Sequence, residues 1–411
     1  MKKLVVMKFG GSSVANAEKI KNVAKKVVAK EKGGTKVVVV VSAPGDMTDD
    51  LIALAEGVTS NPDERELDML LATGEQASIA LLSMAIKDLG WKAISLTGPQ
   101  AGIYADTTYT KARITKIVPT KVHSELNKGN IVIVAGFQGL NPNDDITTLG
   151  RGGSDLTAVA LAAALKADLC EIYTDVDGVY TTDPRIVKDA QKIEYISYEE
   201  MLEMAGSGAQ VMQARSIEVA KKFDVNIHVR CTFNNNKGTI ITDDNNIYLR
   251  RKKMEDVVVS SITYDKNQVK FAILGVPDKP GIAANVFGSL ANGGVNVDMI
   301  IQSAPREKTN DISFTVAKSD VKKAKAVINK VKRKLGAETV ISDDKIAKVS
   351  IIGVGMRSHP GVASKMFKTL SDNNINIDMI STSEIKVSCV IRADKVNEAV
   401  IALHKAFGLG K

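Results

Sequence analysis

The chain has 411 residues, 44% hydrophobic and 25% charged, which fits a globular protein of two or three domains. Its net charge of +8 is spread over lysine-rich helical stretches such as 25–32 and 322–335, and only 4% of residues are aromatic. That pattern argues against nucleic-acid binding and for a solvated basic face that favours anionic substrates. No run of about 18 or more apolar residues stands out, and the opening MKKLVVMKFGG turns polar too soon for a signal peptide, so no membrane partner is expected.

Residues 1 to about 235 alternate Val/Ile-rich runs with amphipathic segments. Strands are expected at Leu4–Phe9, Lys36–Val41, Lys92–Leu96, Ile131–Ala135, Leu169–Asp175 and Asn226–Cys231. Ile20, Ala24, Val27 and Val28 repeat at helical spacing, as do Leu67, Leu70, Leu71 and later Met84. Such alternation predicts a mainly parallel sheet covered on both faces, with ligands at the carboxyl ends of its strands. The loops after Lys8, Val41, Ala135 and Thr174 then share one rim.

Along that rim, KFGGS (8–12) sets Lys8 before a glycine turn. Its glycine amides suit phosphate oxygens and Lys8 supplies a point charge; the alternative is an ordinary strand–helix turn with a surface lysine. VVSAPGDMTDD (40–50) offers small polar contacts from Ser42, Ala43 and Thr48. In LATGEQAS (71–78), Glu75 interrupts an apolar helical run, so either that face is solvated or the carboxylate holds an ammonium group. TTLGRGGSDL (147–156) opens an Ala/Leu helix, with Ser154 or Asp155 as its cap and Arg151 as a fork for a carboxylate or phosphate. YTDVDGVYTTDPR (173–185) fails the EF-hand spacing, because Ile186 stands twelfth from Asp175; it reads as a nucleotide-facing loop or as a plain turn. The standard P-loop, H-R-D and kinase-type D-F-G motifs do not occur.

Cys170, Cys231 and Cys389 lie far apart in strand-like runs and are expected as buried, reduced thiols of a cytoplasmic protein. His123, His228, His359 and His404 show no metal-ligand spacing with them, so no zinc site is expected. The Asn-rich stretch 233–256 marks a boundary, with a short strand at Gly238–Thr242.

The remainder is an internal repeat. Pro280, Gly281, Ala283, Phe287, Leu290, Asn296, Asp298, Met299 and Ile300 recur without gaps at 360, 361, 363, 367, 370, 376, 378, 379 and 380. The second copy ends without a closing strand. The first has a closing candidate at 339–343 and a spare apolar strand in front at 257–262. The spare strand is expected to complete the second copy's sheet, so that the first copy is inserted within the second.

KFGGSSV, VVSA, GEQ, GFQG, GRGGSD and TDVDGVYTTDPR, in this order, resemble the aspartokinases of the amino-acid kinase family, and the repeat resembles paired ACT domains. The resemblance covers essentially the whole chain. It implies an α/β fold: an amino-acid-kinase-like three-layer sandwich with a mainly parallel sheet at 1–245, followed by two α+β ferredoxin-like ACT modules. These modules would be 263–343, and 257–262 plus 344–411. The implied reaction moves the ATP γ-phosphoryl to the side-chain carboxylate of L-aspartate. Lys8 and Asp155 would be catalytic. Ala43, Thr48, Glu75, Phe137, Arg151 and Ser154 would hold aspartate, with Arg151 on its α-carboxylate and Glu75 on its α-ammonium. ATP would meet Lys8, Gly10, Gly11, Ser12, Thr174, Asp175, Tyr180 and Arg185; Mg²⁺ would help Lys8 neutralise the transferring group, with Asp155 orienting the lysine and helping to organise the metal region. Gln210 stands where some relatives carry a lysine near the nucleotide.

Lysine, threonine or both are the implied effectors. They would bind at Asp278, Gly281, Ile282, Ala283, Asn296, Asp298 and Gln302, with Asn376, Ile377, Ser381, Thr382, Ser383 and Glu384 as the paired surface. The modules would also make a homo-oligomer; a plain dimerisation surface is the simpler role for the same residues. Two other readings are a kinase for glutamate, acetylglutamate or uridylate, and a catalytically silent amino-acid sensor.

Overall fold

The computed structural model describes residues 2–209, 211–243, 258–305 and 308–410; Gln210 and Val257, both singled out above, lie outside the described residues. The chain forms two compact units. The first comprises 1–179, 192–205 and 210–254, and the second 180–191, 206–209 and 255–411.

In the first unit, β1 (Leu4–Phe9), β2 (Lys36–Val41), β3 (Ala93–Leu96), β6 (Ile131–Ala135) and β9 (Leu169–Thr174) fall within a residue of their expected bounds. With β10 (Tyr195–Ser197), β11 (Ile227–Cys231) and β12 (Thr239–Thr242) they make an eight-stranded sheet in the order β10-β12-β11-β9-β1-β2-β6-β3. All its pairings are parallel except β11 with β12. The central strands are buried on both faces, which is why they read as unbroken Val/Ile runs.

Val5, Met7, Phe9, Val37, Val39 and Val41 pack under α1 (Ala17–Lys32) and α3 (Glu64–Asp88). On the other face, β1, β2 and β9 are covered by α5 (Gly153–Leu165), whose small Ala side chains let it lie between the sheet and α7 (Ala214–Phe223). The helices α2 (Met47–Val58), α4 (Thr120–Asn127) and α6 (Tyr198–Gly206) are the others among the described residues of this unit.

Three features depart from expectation. Short strands β4 (Ile103–Ala105), β5 (Ile114–Ile117), β7 (Gln138–Leu140) and β8 (Ile146–Thr148) form a second sheet, β5-β4-β7-β8; at three or four residues each they are too short to show periodicity. Met84 is exposed, because α3 buries the face that carries Ile79, Leu82 and Ile86. Finally, α3 is long and apolar enough to cross a membrane by length and composition. Half of that apolar run is buried, however, and α3 packs on α1, α2, β3, β6 and β8, as a core helix does.

In the second unit, β14 (Gln268–Pro277), α8 (Ile282–Asn292), β15 (Val297–Gln302), β16 (Thr309–Ala317), α9 (Val321–Leu335) and β17 (Thr339–Asp343) make an antiparallel sheet ordered β15-β16-β14-β17. The second copy has β18 (Ile346–Ile352), α10 (Val362–Asp372), β19 (Met379–Thr382), β20 (Lys386–Arg392) and α11 (Val396–Ala406). Its sheet is closed by β13 (Ser261–Asp265), antiparallel to β18 in the place that β17 takes beside β14. The closing strand thus precedes the first copy in sequence. It begins at Ser261, later than the expected 257–262, and takes residues 263–265 from the range expected for the first module.

Gly281 and Gly361, both at φ 91°, open α8 and α10 alike; this left-handed conformation is why glycine recurs in the repeat.

Between the two copies, Met299, Met379, Ile346 and Val390 form an apolar contact. Lys348, only 1% exposed, points its ammonium at the Asp298 carboxylate and donates to Gly206 O at 3.3 Å. Asp298→Ala is expected to destabilise the second unit by about 3 kcal/mol, because it strands a buried charge. Urea unfolding measures this, and Lys348→Met in the same background is expected to recover most of the loss.

Candidate active site

The parallel strands β1, β2, β6 and β9 deliver their carboxyl ends to one rim. Lys8, near the end of β1, is buried on the α5 face, with Nζ 2.6 Å from Asp155 Oδ1. Asp155 lies in the first turn of α5. The expected cap is corrected here: Gly152, at φ 72°, is the N-cap residue, and neither Ser154 nor Asp155 caps the helix. A Cβ on Gly152 would strike the Gln213 side chain at 1.7 Å, so the glycine is required on two grounds. Released from capping, Asp155 is available to Lys8.

Gly10 donates its N–H to Tyr173 O (3.3 Å), and a Cβ there would lie 3.5 Å from Lys8 Nζ. Gly11 accepts from Gly45 N–H (3.0 Å), and its own Cβ would come within 2.8 Å of Ala43 O. The loops after β1 and β2 therefore approach as closely as backbone allows. Ser12 is exposed beside them.

Gly74 does the same for α3, since a Cβ there would meet Ala43 Cβ at 2.7 Å. This approach carries Glu75 under the loop. Glu75 is 2% exposed, and its Oε1 accepts the Ala43 N–H at 3.0 Å. Its Oε2 is buried and has no hydrogen-bond partner. Burial pushes its carboxyl up to about 7, against the smaller opposing pull of the Ala43 amide. Of the two readings left open above, the solvated face is excluded.

Phe137, after β6, has φ 68° and reaches α5: a Cβ on Gly153 would lie 2.9 Å from its ring. Ser154 is buried, and the missing Cβ of Gly136 leaves room for its hydroxyl. Thr48 is half-buried in the first turn of α2. Arg151 differs from its neighbours. Its side chain is 88% exposed and meets Asp49 of α2 at 3.7 Å, so the clamp inferred for it is not assembled.

Of the residues expected to meet the nucleotide, Thr174 donates its hydroxyl to the exposed Asp175 carboxylate (3.0 Å). Asp177, in the same loop, accepts from Asn234 (2.5 Å) and Asn236 (2.9 Å), which hold its carboxyl below the usual range. Tyr180 and Arg185 belong to the second unit. There Arg185 is held by Asp183 at 2.9 Å, and Asp183 also accepts the Tyr264 hydroxyl at 2.9 Å.

Two supporting residues escaped sequence reading. Asp68, buried on α3 two turns before Glu75, accepts from the Thr148 hydroxyl (2.5 Å) and the Thr110 N–H (2.9 Å), tying α3 to the strand that leads into Gly150–Gly153. Its signal was a second acid at helical spacing from Glu75. Thr157, one turn into α5, bonds to both Phe137 and Gly153. It had no signal in an Ala/Leu helix.

The profile of the Amino acid kinase family matches residues 3–231, and that of the ACT domain matches 272–331 and 349–407. Over 406 residues the chain is 50% identical to an aspartate kinase of Pseudomonas putida, covering 99% of this chain and 98% of that one. The chain belongs to the aspartokinases of the amino acid kinase family. As an aspartokinase relative it is a phosphotransferase. Two solved structures of E. coli aspartokinase III share the fold at 24% identity. One, in complex with aspartate and ADP, has a TM-score of 0.83 and is covered over 99% of its length by 98% of this chain. The other, in complex with lysine and aspartate, has a TM-score of 0.75 and the same coverage. The aspartokinase fold thus accounts for both units, an amino-acid kinase sheet and two ACT modules.

Proposed function

We propose that the chain transfers the γ-phosphoryl of ATP to the side-chain carboxylate of L-aspartate, giving 4-phospho-L-aspartate, and that lysine, threonine or both together regulate it at the ACT modules. The carrying observation is a single rim that holds a buried lysine–aspartate pair beside close-packed glycines, with a buried, half-satisfied glutamate next to it.

The acceptor carboxylate has a pKa near ~4 and is ionised at neutral pH, so no general base is needed. Transfer then rests on in-line positioning and on neutralising the phosphoryl charge. Lys8 supplies that charge and Asp155 fixes its position. Gly10, Gly11 and Ser12 present backbone to the phosphates, and Thr174 and Asp175 stand at the nucleotide side. No group of three acidic, histidine or cysteine side chains that could hold a metal occurs among the described residues. On this rim the exposed Asp175 and the Lys8-paired Asp155 are the acidic side chains that would hold Mg²⁺ together with the phosphates. When bound, the ion neutralises phosphate charge.

Glu75 Oε2 receives the α-ammonium of aspartate. The exposed Arg151 turns from Asp49 to the α-carboxylate, and Ala43, Thr48, Phe137 and Ser154 line the remainder. Tyr180 and Arg185 stay candidates for the nucleotide. In the second unit, Asp278 accepts from Asn310 (3.2 Å), and Asn296 and Asn376 are exposed at equivalent places beside β15 and β19. These support effector sites at the residues named above, with Asp298 already engaged by Lys348. Ile300 and Ile380, exposed at equivalent positions on the edge strands β15 and β19, support pairing with a second copy. Sedimentation that finds only monomers would exclude that pairing.

A hydroxamate assay with ATP and aspartate, run against glutamate, tests the reaction, with lysine and threonine titrated singly and jointly. Turnover of aspartate alone is expected. Equal use of glutamate would favour another amino-acid kinase, no turnover a silent sensor, and flat activity against both effectors would remove the regulatory part.

A further inference from the structure

Phe137 is held in a conformation that a bulky residue rarely adopts. Its φ of 68° lies in the left-handed region, where a Cβ crowds its own backbone. Such a residue persists only when its surroundings over-determine it. Two hydrogen bonds do so here. Its carbonyl accepts the Leu149 N–H at 2.8 Å, and its N–H donates to the Thr157 hydroxyl at 3.1 Å. Thr157 is fully buried, and the same hydroxyl donates to Gly153 O at 2.8 Å.

The second of these Thr157 bonds is ordinary, since threonine in a helix commonly bonds back to the carbonyl four residues earlier. The first is not. It makes one hydroxyl both donor and acceptor, joining the loop after β6 to the turn that carries Ser154 and Asp155. The Phe137 ring lies against Gly153, and the missing Cβ of Gly136 accommodates Ser154, so the two segments are fitted to each other on both sides of the bond.

We infer that Thr157 is a positioning residue for the amino-acid acceptor: its hydroxyl fixes Phe137 against the first turn of α5 and so sets the wall of the acceptor pocket. This rests on the reading of Phe137 and Ser154 as aspartate contacts. Thr157 touches no substrate. The glycine loop after β1 is held by other bonds, to Tyr173 O and Gly45 N–H, so the nucleotide side does not depend on it.

The test compares full-length Thr157→Val, Thr157→Ala and Thr157→Ser in steady-state kinetics, with near-UV circular dichroism as a check of fold. Val and Ala lose the hydroxyl; Ser keeps it and loses the methyl. The expected result is an aspartate KM raised at least about ten-fold in Val and Ala, an ATP KM within two-fold of the parent, and an aspartate KM within three-fold in Ser. A folded Val or Ala variant with the parent's aspartate KM would overturn the inference. So would an equal rise in both KM values, or failure of both variants to fold, since each assigns the hydroxyl to general stability. Phe137→Ala separates the inference from the reading beneath it. If that variant leaves aspartate KM unchanged, the pocket assignment fails; if it raises KM while Thr157→Val does not, the assignment stands and the inference falls.

Discussion

Lys8→Met is expected to lower kcat about a thousand-fold, with an ATP KM within about five-fold of the parent. The size follows from what Lys8 is placed to do: in a site where positioning and charge neutralisation carry the chemistry, one preorganised charge on the transferring group is worth roughly 10²–10³ or more in turnover. The small change in KM follows from the backbone around it. The glycine turn stays in place through the Gly10 N–H bond to Tyr173 O and the Gly45 N–H bond to Gly11 O, whichever side chain occupies position 8, so ground-state binding of the phosphates survives.

The variant also leaves the Asp155 carboxylate buried without its ammonium partner, at a cost of up to about 3–5 kcal/mol. Turnover must therefore be read on protein shown to be folded. Lys8→Met with Asp155→Asn removes the stranded charge, and is expected to restore much of the stability and none of the turnover. Near-parent kcat in folded Lys8→Met would end the assignment, whereas an unchanged kcat with a large rise in ATP KM would move Lys8 from catalysis to binding.

Why Lys8 was legible from sequence, and Thr157 was not, is a matter of range. A strand end followed by two glycines is a local signal, and parallel pairing makes every such end share a rim, so Lys8, Ala43, Phe137 and Thr174 could be brought together without coordinates. The repeat was legible for a related reason. Identities at one offset imply one fold twice, so the second copy needs a fourth strand, and β13 supplies it from upstream of the first copy. What stayed hidden depended on contacts across the chain. Gly152, not Ser154 or Asp155, is the N-cap, and Gln213, distant in sequence, packs where its Cβ would lie. The small β4–β5–β7–β8 sheet has strands too short to carry a period. The outward lie of Arg151 follows from no local rule, since a long exposed side chain adopts whatever its surroundings allow.

Glu75→Gln is expected to raise aspartate KM about a hundred-fold, to leave ATP KM unchanged, and to erase a pH dependence that the parent shows. Burial lifts the Glu75 carboxyl to about 7 from an ordinary value of 4.5. Between those two pH values the folded protein binds more of this proton than the unfolded chain does. This group's contribution to stability therefore falls as pH rises through the window and is at its least favourable above 7. Ionised Glu75 is thus an uncompensated cost in the empty pocket, and the glutamine variant is expected to be more stable than the parent at pH 8, by about 1–3 kcal/mol. An α-ammonium placed at Oε2 reverses that balance, because it prefers the ionised form. Aspartate affinity should then weaken as pH falls below about 7, approaching ten-fold per unit, while ATP affinity does not follow. Aspartate itself keeps its ammonium and carboxylates throughout pH 6–8, so the slope belongs to the protein. Aspartate KM measured across that range in parent and variant decides the matter. A parent slope that survives in Glu75→Gln would place the titrating group elsewhere, and a variant with the parent's KM would show that the buried carboxylate serves the Ala43 amide and not the substrate.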